Sequence, residues 1–442
     1  MSTVAASPAG FGAAPKGRVD VRPADTSIFP LVVSYALVCV LIFLAVRGTF
    51  SFEFGVQASG QATDDSGGTI QKVTAVMAFG TMLAVMLPVC RNLWNLIKQY
   101  PILFLLPIWA TLSTLWSTAP IRTLPTGGMI LILTLFGFYI PVRFTPRQQM
   151  QLFVFTGFMT TILSYVTIVL LPRAGVDHKN TTTGLEGIFP QKNICAVITI
   201  QLLAVGFCYA FRGKNAPLKK IAFFVLLVTL IIGTMARTGW ILLLLVTAFI
   251  LVLKGLHRLR PLERFAVTWF LPATCLAIGW MVYSNSAFLL KLIGKGATLS
   301  GRTGVWSVVF LAIVKRPWVG FGYGAFWLPT NPEAHRLGLI IGDPGLNNAE
   351  NGVLQLWLEL GLIGVLFLFY TLFRSCKHAV QCFRSNTPNY AIWYMSMIFI
   401  TMLALVDGSK FIQWSSIDYL MYVMADIGLA NEARRLRAAQ AT

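Results

Sequence analysis

Apolar runs of about 17–22 residues recur along the whole chain, and each is as long as a helix must be to cross a bilayer core of about 30 Å. They lie at 29–46, 73–90, 101–116, 125–142, 151–171, 194–211, 221–236, 239–253, 265–284, 352–373, 390–406 and 416–430. Of the 442 residues, 56% are hydrophobic and 12% charged, where a soluble domain carries about 25% charged residues. A chain this apolar cannot cover itself with polar surface. The run 29–46 has no clean small-residue cleavage site and is followed by many more spans, so it reads as the first helix rather than a signal peptide. The expected fold is an all-α integral membrane protein of about twelve transmembrane helices.

The net charge of +19 is mostly a topology signal. With the N-terminus placed inside, the inner segments carry Lys16, Arg18, Arg22; Arg91, Lys98; Arg143, Arg147; Arg212, Lys214, Lys219, Lys220; Lys254, Arg258, Arg260, Arg264; Arg374, Lys377, Arg384; and Arg434, Arg435, Arg437. These are 21 of the 35 Lys and Arg, a positive-inside bias at every inner loop that leaves both termini cytoplasmic. No basic patch is interleaved with stacking aromatics, so nucleic acid is not an expected partner. Cys39, Cys195, Cys208 and Cys275 fall inside spans and Cys90, Cys376 and Cys382 near the inner face. No disulfide and no metal site is expected from them.

Residues 1–25, rich in Ala, Pro and Gly, read as a disordered cytoplasmic tail, and 432–442 as a cytoplasmic tail. Between them stand helices one to nine (26–284), a long outer loop (285–351) and helices ten to twelve (352–431). Two smaller outer loops lie at 48–71 and 172–192. The apolar centre of the segment 302–316 is too short to span and suits a re-entrant or interfacial amphipathic helix. If it did span, the later basic clusters would fall outside. The long loop also holds Trp306, Trp318, Phe321, Tyr323, Phe326 and Trp327. These suit either stacking on sugar rings or an interfacial aromatic belt.

Four outer positions carry the candidate chemistry. Arg237 sits in a turn between two apolar spans, where an ionisable group is costly and marks function, or else snorkels to the interface. Arg302 opens the amphipathic segment, and its plain alternative is a headgroup contact. Lys192 precedes a span, with the same alternative. Glu350 lies where the long loop returns to the membrane, as a reactive acid or as a helix N-terminal cap. Guanidinium groups suit phosphate because the planar fork donates two hydrogen bonds at once. A carboxylate ionised at neutral pH can take the proton of an attacking hydroxyl. His178 and His335 are the only outer histidines.

The stretch 351–364, Asn-Gly-Val-Leu-Gln-Leu-Trp-Leu-Glu-Leu-Gly-Leu-Ile-Gly, resembles the hallmark of the O-antigen ligase and Wzy-type polysaccharide polymerase superfamily: His-Asn, nine residues, then Gly-x-x-Gly. Gly301-Arg302-Thr303 with Trp306, and the run 316–327, resemble its long periplasmic loop. Ala236-Arg237-Thr238-Gly239 resembles its Ser-Arg-Thr/Ser turn, and Gly187-Ile188-Phe189 with Asn193 its Gly-x-Phe-x-x-x-Asn element. The run 316–327 looks closer to exopolysaccharide polymerases than to ligases.

The resemblance implies a multi-pass enzyme of the bacterial inner membrane with its active face in the periplasm. It would be a metal-independent glycosyltransferase without cofactor, acting on glycan carried by undecaprenyl diphosphate among membrane lipids. A polymerase would join lipid-linked repeat units, in exopolysaccharide or O-antigen synthesis, beside a chain-length regulator and a flippase. A ligase would transfer the glycan to the lipid A core. The family's diphosphate-binding arginines carry over to Arg237 and Arg302, with Glu350 as base. Lys192, Asn193, Asn351, Trp306 and Trp327 are the expected substrate contacts. The family's motif histidine is Glu350 in this chain. A carboxylate beside a diphosphate weakens carrier binding by like charge, which keeps a non-catalytic export subunit as an alternative. A transporter would need charge along the midplane, and here the polar residues gather on one face. Glu359, nine residues past Glu350, faces away from it at about 100° per residue and reads as structural or acceptor-contacting.

Overall fold

The computed structural model describes residues 37–42, 65–177, 183–189, 191–256, 302–328, 330–343, 346–383, 388–407 and 417–440. The expected span 265–284, most of 29–46, the tail 1–25, loop residues 285–301 and His178 lie outside them.

The described chain is a helical bundle. Six helices are long and apolar enough to cross a membrane: Val76–Gln99, Pro120–Arg143, Pro146–Leu170, Ala216–Gly233, Arg237–Leu256 and Gly352–Phe383. Lys192–Cys208 and Asn389–Asp407 are shorter or more polar, and are buried on nearly all sides within the bundle. Their boundaries fall within a few residues of the apolar runs, because the runs end at polar and proline punctuation. Thr145 caps Pro146–Leu170 with a reciprocal Gln148 contact, and Pro146 takes the first helical position, where a missing N–H costs nothing.

The last helix, Ile417–Gln440, is buried over most of its first seventeen residues. Its apolar run is interrupted by Asp426, which is fully buried. Arg374 pairs with that carboxylate, and the Ser375 hydroxyl donates to it at 2.6 Å. A buried charge persists only when paired and hydrogen-bonded, so the neighbouring helix supplies what the apolar pattern lacks. Similar polar ties join other helices: Tyr394 donates to Gln149 at 2.7 Å, and Thr134 meets Tyr419 at 3.1 Å.

Several expectations are corrected. The fold is mostly rather than wholly helical, since Val176–Asp177 pairs antiparallel with Gly184–Leu185. The first fully described helix begins at Asp65, inside the expected outer loop. The run 101–116 is three pieces, Pro101–Phe104, Leu105–Leu112 and Ser113–Leu115, because Pro101 and Pro107 disturb a single ladder. Ile417–Gln440 continues through most of the expected tail. The described part of the long loop, from 302 on, holds two helices, Arg302–Ile313 and Pro332–Ile341, rather than one. The second starts on an Asn331 cap with Pro332 first and ends on left-handed Gly342 at φ 72°.

The long loop is locked to the bundle by a break in Gly352–Phe383. Gly361 has φ 69° and ψ −177°, a conformation open essentially to glycine alone. The opened helix leaves backbone groups that must be paired in apolar surroundings. The carbonyls of Leu358 and Glu359 accept from Phe321 and Gly322 N–H at 3.0 and 2.9 Å, and that of Leu360 from the Trp109 indole at 3.0 Å. In return, Leu362 and Ile363 N–H donate to the carbonyls of Pro317 and Trp318 at 2.8 and 3.3 Å. Trp116 and Trp357 donate to the Val319 and Pro317 carbonyls at 2.9 and 2.8 Å. A Cβ on Gly361 would stand 2.0 Å from the Trp318 carbonyl oxygen.

Gly361→Ala should therefore lower the melting temperature of the detergent-solubilised protein by at least about 5 °C, or leave no monodisperse protein. Gly128→Ala, where an added Cβ meets nothing within 4 Å, should shift it by less than about 2 °C. Equal melting of the two variants contradicts the lock.

Candidate active site

The two loop helices build a small apolar core of their own. Val305, Val308, Val309, Ala312 and Ile313 pack against Phe321, Phe326, Ala334, Leu337, Ala349 and Leu358. That core carries both Arg302, at the head of the first helix, and Glu350, next to fully buried Ala349. The Arg302 Nε lies 3.5 Å from the Glu350 Oε2, with the two side chains 24% and 40% exposed. The pair is thus half open to the outside.

Glu350 has φ 51°, in the left-handed region that non-glycine residues avoid. Asn348 Oδ1 accepts from its N–H at 2.8 Å and helps to hold that conformation. Asn351 caps the following helix, accepting from Val353 and Leu354 N–H at 3.0 and 3.1 Å. Behind them, Gln355 Oε1 accepts from the Trp327 indole at 2.9 Å and from Ala349 N–H at 3.0 Å. Its Nε2 donates to buried Glu359 at 2.6 Å, and the Gly324 N–H donates to the same carboxyl. The Gln355 amide is therefore fixed in one orientation, and Glu359 belongs to the scaffold beneath Glu350. Trp306 lies one turn beyond Arg302, and its buried indole N–H has no hydrogen-bond partner among the described residues.

A second group forms where two helix starts meet. Lys192–Cys208 and Arg237–Leu256 are so close that a Cβ on Gly239 would stand 2.6 Å from that of Ala196. Gly184 fits between the Thr234 carbonyl and the Lys192 side chain, where a Cβ would meet them at 2.2 and 3.0 Å. Lys192 Nζ is 3.1 Å from the Oδ2 of Asp177, which is buried. Arg237 is exposed and makes no ion pair or side-chain hydrogen bond among the described residues. It follows Met235, whose φ is 51°. Asn193 is exposed beside Lys192. Met235 and Glu350 are the non-glycine residues with positive φ among those described, so backbone strain sits at the two motif sites, where it commonly accompanies function.

Lys192, Arg237 and Arg302 each begin an α-helix. A cation at that end opposes the helix dipole by about 0.3–1 kcal/mol. The same end, with its unpaired N–H groups, favours an anion. The structure brings Arg302 to Glu350 and Lys192 to the turn before Arg237. It also adds Asp177, Gln355 and Glu359, which the motifs did not point to as partners. Asp177 gave no sharper signal than an acid in an outer loop. Gln355 was visible only as a polar residue one turn before Glu359.

Residues 222–369 match the family model described as O-antigen ligase, a stretch that includes Arg237, Arg302 and Glu350. The chain is also similar to the exopolysaccharide production protein ExoQ of Rhizobium meliloti (strain 1021). The two are 24% identical over 312 residues, 67% of this chain and 69% of that protein. The resemblance read from the motifs is borne out, and with the apolar helices it makes this a multi-pass membrane protein that is similar to O-antigen ligases over residues 222–369.

The loop frame carries a titratable tie. Lys315 Nζ and Arg336 Nη2 reach Glu333 Oε1 at 2.7 and 2.9 Å. Burial works to raise the Glu333 carboxyl, but hydrogen bonds and charge from Lys315 and Arg336 outweigh it and hold it below the usual carboxylate range. A lowered folded-state value stabilises fully above the unfolded value of about 4.3, and the gain is lost as pH falls through the folded value. Glu333→Gln should thus melt about 1–2 °C lower at pH 7, with the gap closing as acid protonates the wild type. A gap that stays constant down to pH 3 contradicts this.

Proposed function

We propose, from the similarity to O-antigen ligases and to an exopolysaccharide production protein, that this chain is a polysaccharide polymerase of the bacterial inner membrane. It joins repeat units carried on undecaprenyl diphosphate at the periplasmic face, with both termini cytoplasmic. The observation that carries this is the half-open pair of Arg302 and Glu350, set on a loop core that the helix break anchors to the bundle.

The ionised Glu350 takes the proton of an acceptor sugar hydroxyl, and the hydroxyl oxygen forms a bond to the anomeric carbon of the donor glycan. The bond from that carbon to the phosphate oxygen breaks, and undecaprenyl diphosphate leaves. Arg302 and Arg237 bind the charge that collects on the leaving group, which is the larger contribution to lowering the barrier. Lys192 is already neutralised by Asp177, so it serves chiefly to fix the helix start beside Arg237. Trp306, one turn beyond Arg302 and only partly buried, offers its ring beside the pair. Trp327 is committed to Gln355 and offers its ring face. Asn193 and Asn351 border the same surfaces. No metal or cofactor takes part in this scheme. A flippase to deliver the units and a chain-length regulator are the partners such a reaction calls for.

The matched family model favours a second reading, transfer of finished glycan to an acceptor lipid. The two separate in a deletion strain. A polymerase leaves single repeat units on the carrier, and wild-type complementation restores long chains. A ligase leaves long unattached polymer on the carrier. Arg237→Ala and Glu350→Gln should each cut the product at least about 100-fold, the scale of one lost general base or leaving-group contact. Full activity of Glu350→Gln removes Glu350 as the base.

A further inference from the structure

We infer that Glu350 is also a gate for the donor: it occupies the diphosphate's place on Arg302 and is released to act as a base when the diphosphate displaces it. This rests on the reading of the site given above.

Arg302 can satisfy the diphosphate or the Glu350 carboxylate at its Nε edge, and in this structure it holds the carboxylate at 3.5 Å. The contact is weak by geometry, being long and on partly exposed side chains, and an exposed pair of this kind is worth little. A diphosphate carries more charge and can take the guanidinium fork with two parallel bonds. The exchange therefore favours the donor. While Arg302 engages the Glu350 Oε2, that carboxylate is occupied, and it is freed to meet the acceptor hydroxyl only when the donor is seated. The backbone favours the same sequence of events. Glu350 is held at φ 51° by Asn348 and by the Gln355 grip on Ala349. Its main chain therefore stays in place while the side chain swings away from Arg302. Arg237, exposed and unpaired among the described residues, offers first contact for the anion without a carboxylate to displace. The two arginines thus differ: one is open and one is latched. A latch of this form also accounts for an acid at the position where the resemblance places a histidine, since a neutral imidazole could not close it.

The test is equilibrium binding of undecaprenyl diphosphate to the purified full-length chain in lipid nanodiscs, for the wild type, Arg302→Ala, Glu350→Gln and the double variant. The latch predicts that Glu350→Gln binds about two- to fivefold more tightly than wild type, the equivalent of one partly exposed ion pair. It also predicts that Arg302→Ala weakens binding, and that Glu350→Gln has no effect once Arg302 is Ala. Tightening of equal size in both backgrounds means general charge repulsion and overturns the latch. Unchanged or weaker binding by Glu350→Gln, with Arg302→Ala still weakened, overturns the latch and leaves the site reading standing. Unchanged binding by Arg302→Ala overturns both.

Discussion

A helix opened inside apolar surroundings has to rehouse its backbone groups, and in this protein one loop does so. Gly361 breaks the long helix Gly352–Phe383, and the segment from Pro317 to Gly322 takes up the freed donors and acceptors in register. Tryptophans from the broken run 101–116 cap what is left. With nothing else in the hydrocarbon to pair with, these groups make the loop a structural member of the bundle. The glycines of the run 316–324 are part of the same constraint. Gly320 and Gly322 have positive φ, and a Cβ on Gly320 would stand 2.5 Å from the Glu359 carbonyl carbon and oxygen.

The site follows from that docking. Once the loop is fixed, its apolar core holds Arg302 and Ala349 in one unit, and Glu350 projects from the edge of that unit. Long loops in compact proteins are usually functional or disordered, and the described part of this one is held by the backbone pairing at Gly361. The pair of Arg302 and Glu350 thus sits at the partly exposed edge of a fixed anchor.

Much of this was legible in the residues, and the parts that were not have physical reasons. Helix positions could be read because each span must be apolar for a set length, and Arg237, Arg302 and Glu350 stood out because charge at a membrane face is costly. The two halves of the lock, the Gly-x-x-Gly pair and the glycine-rich run 316–324, were both visible as motifs. Their pairing was not, because backbone hydrogen bonds between distant segments leave no periodic trace. The helix Pro332–Ile341 was missed although its Asn-Pro start and Gly342 stop were in plain view, since a ten-residue element within a glycine-rich loop has little apolar period. The partner of buried Asp426, Arg374, appears only when the helices pack.

The central claim is that the outer face performs glycosyl transfer. Its most direct test is to incubate the purified chain in liposomes with single repeat units on undecaprenyl diphosphate, measuring product length and released carrier. The account predicts longer carrier-linked chains, with one undecaprenyl diphosphate released for each linkage made. Movement of the lipid-linked units across the bilayer, with no elongation and no release, would contradict it and make the chain a transporter.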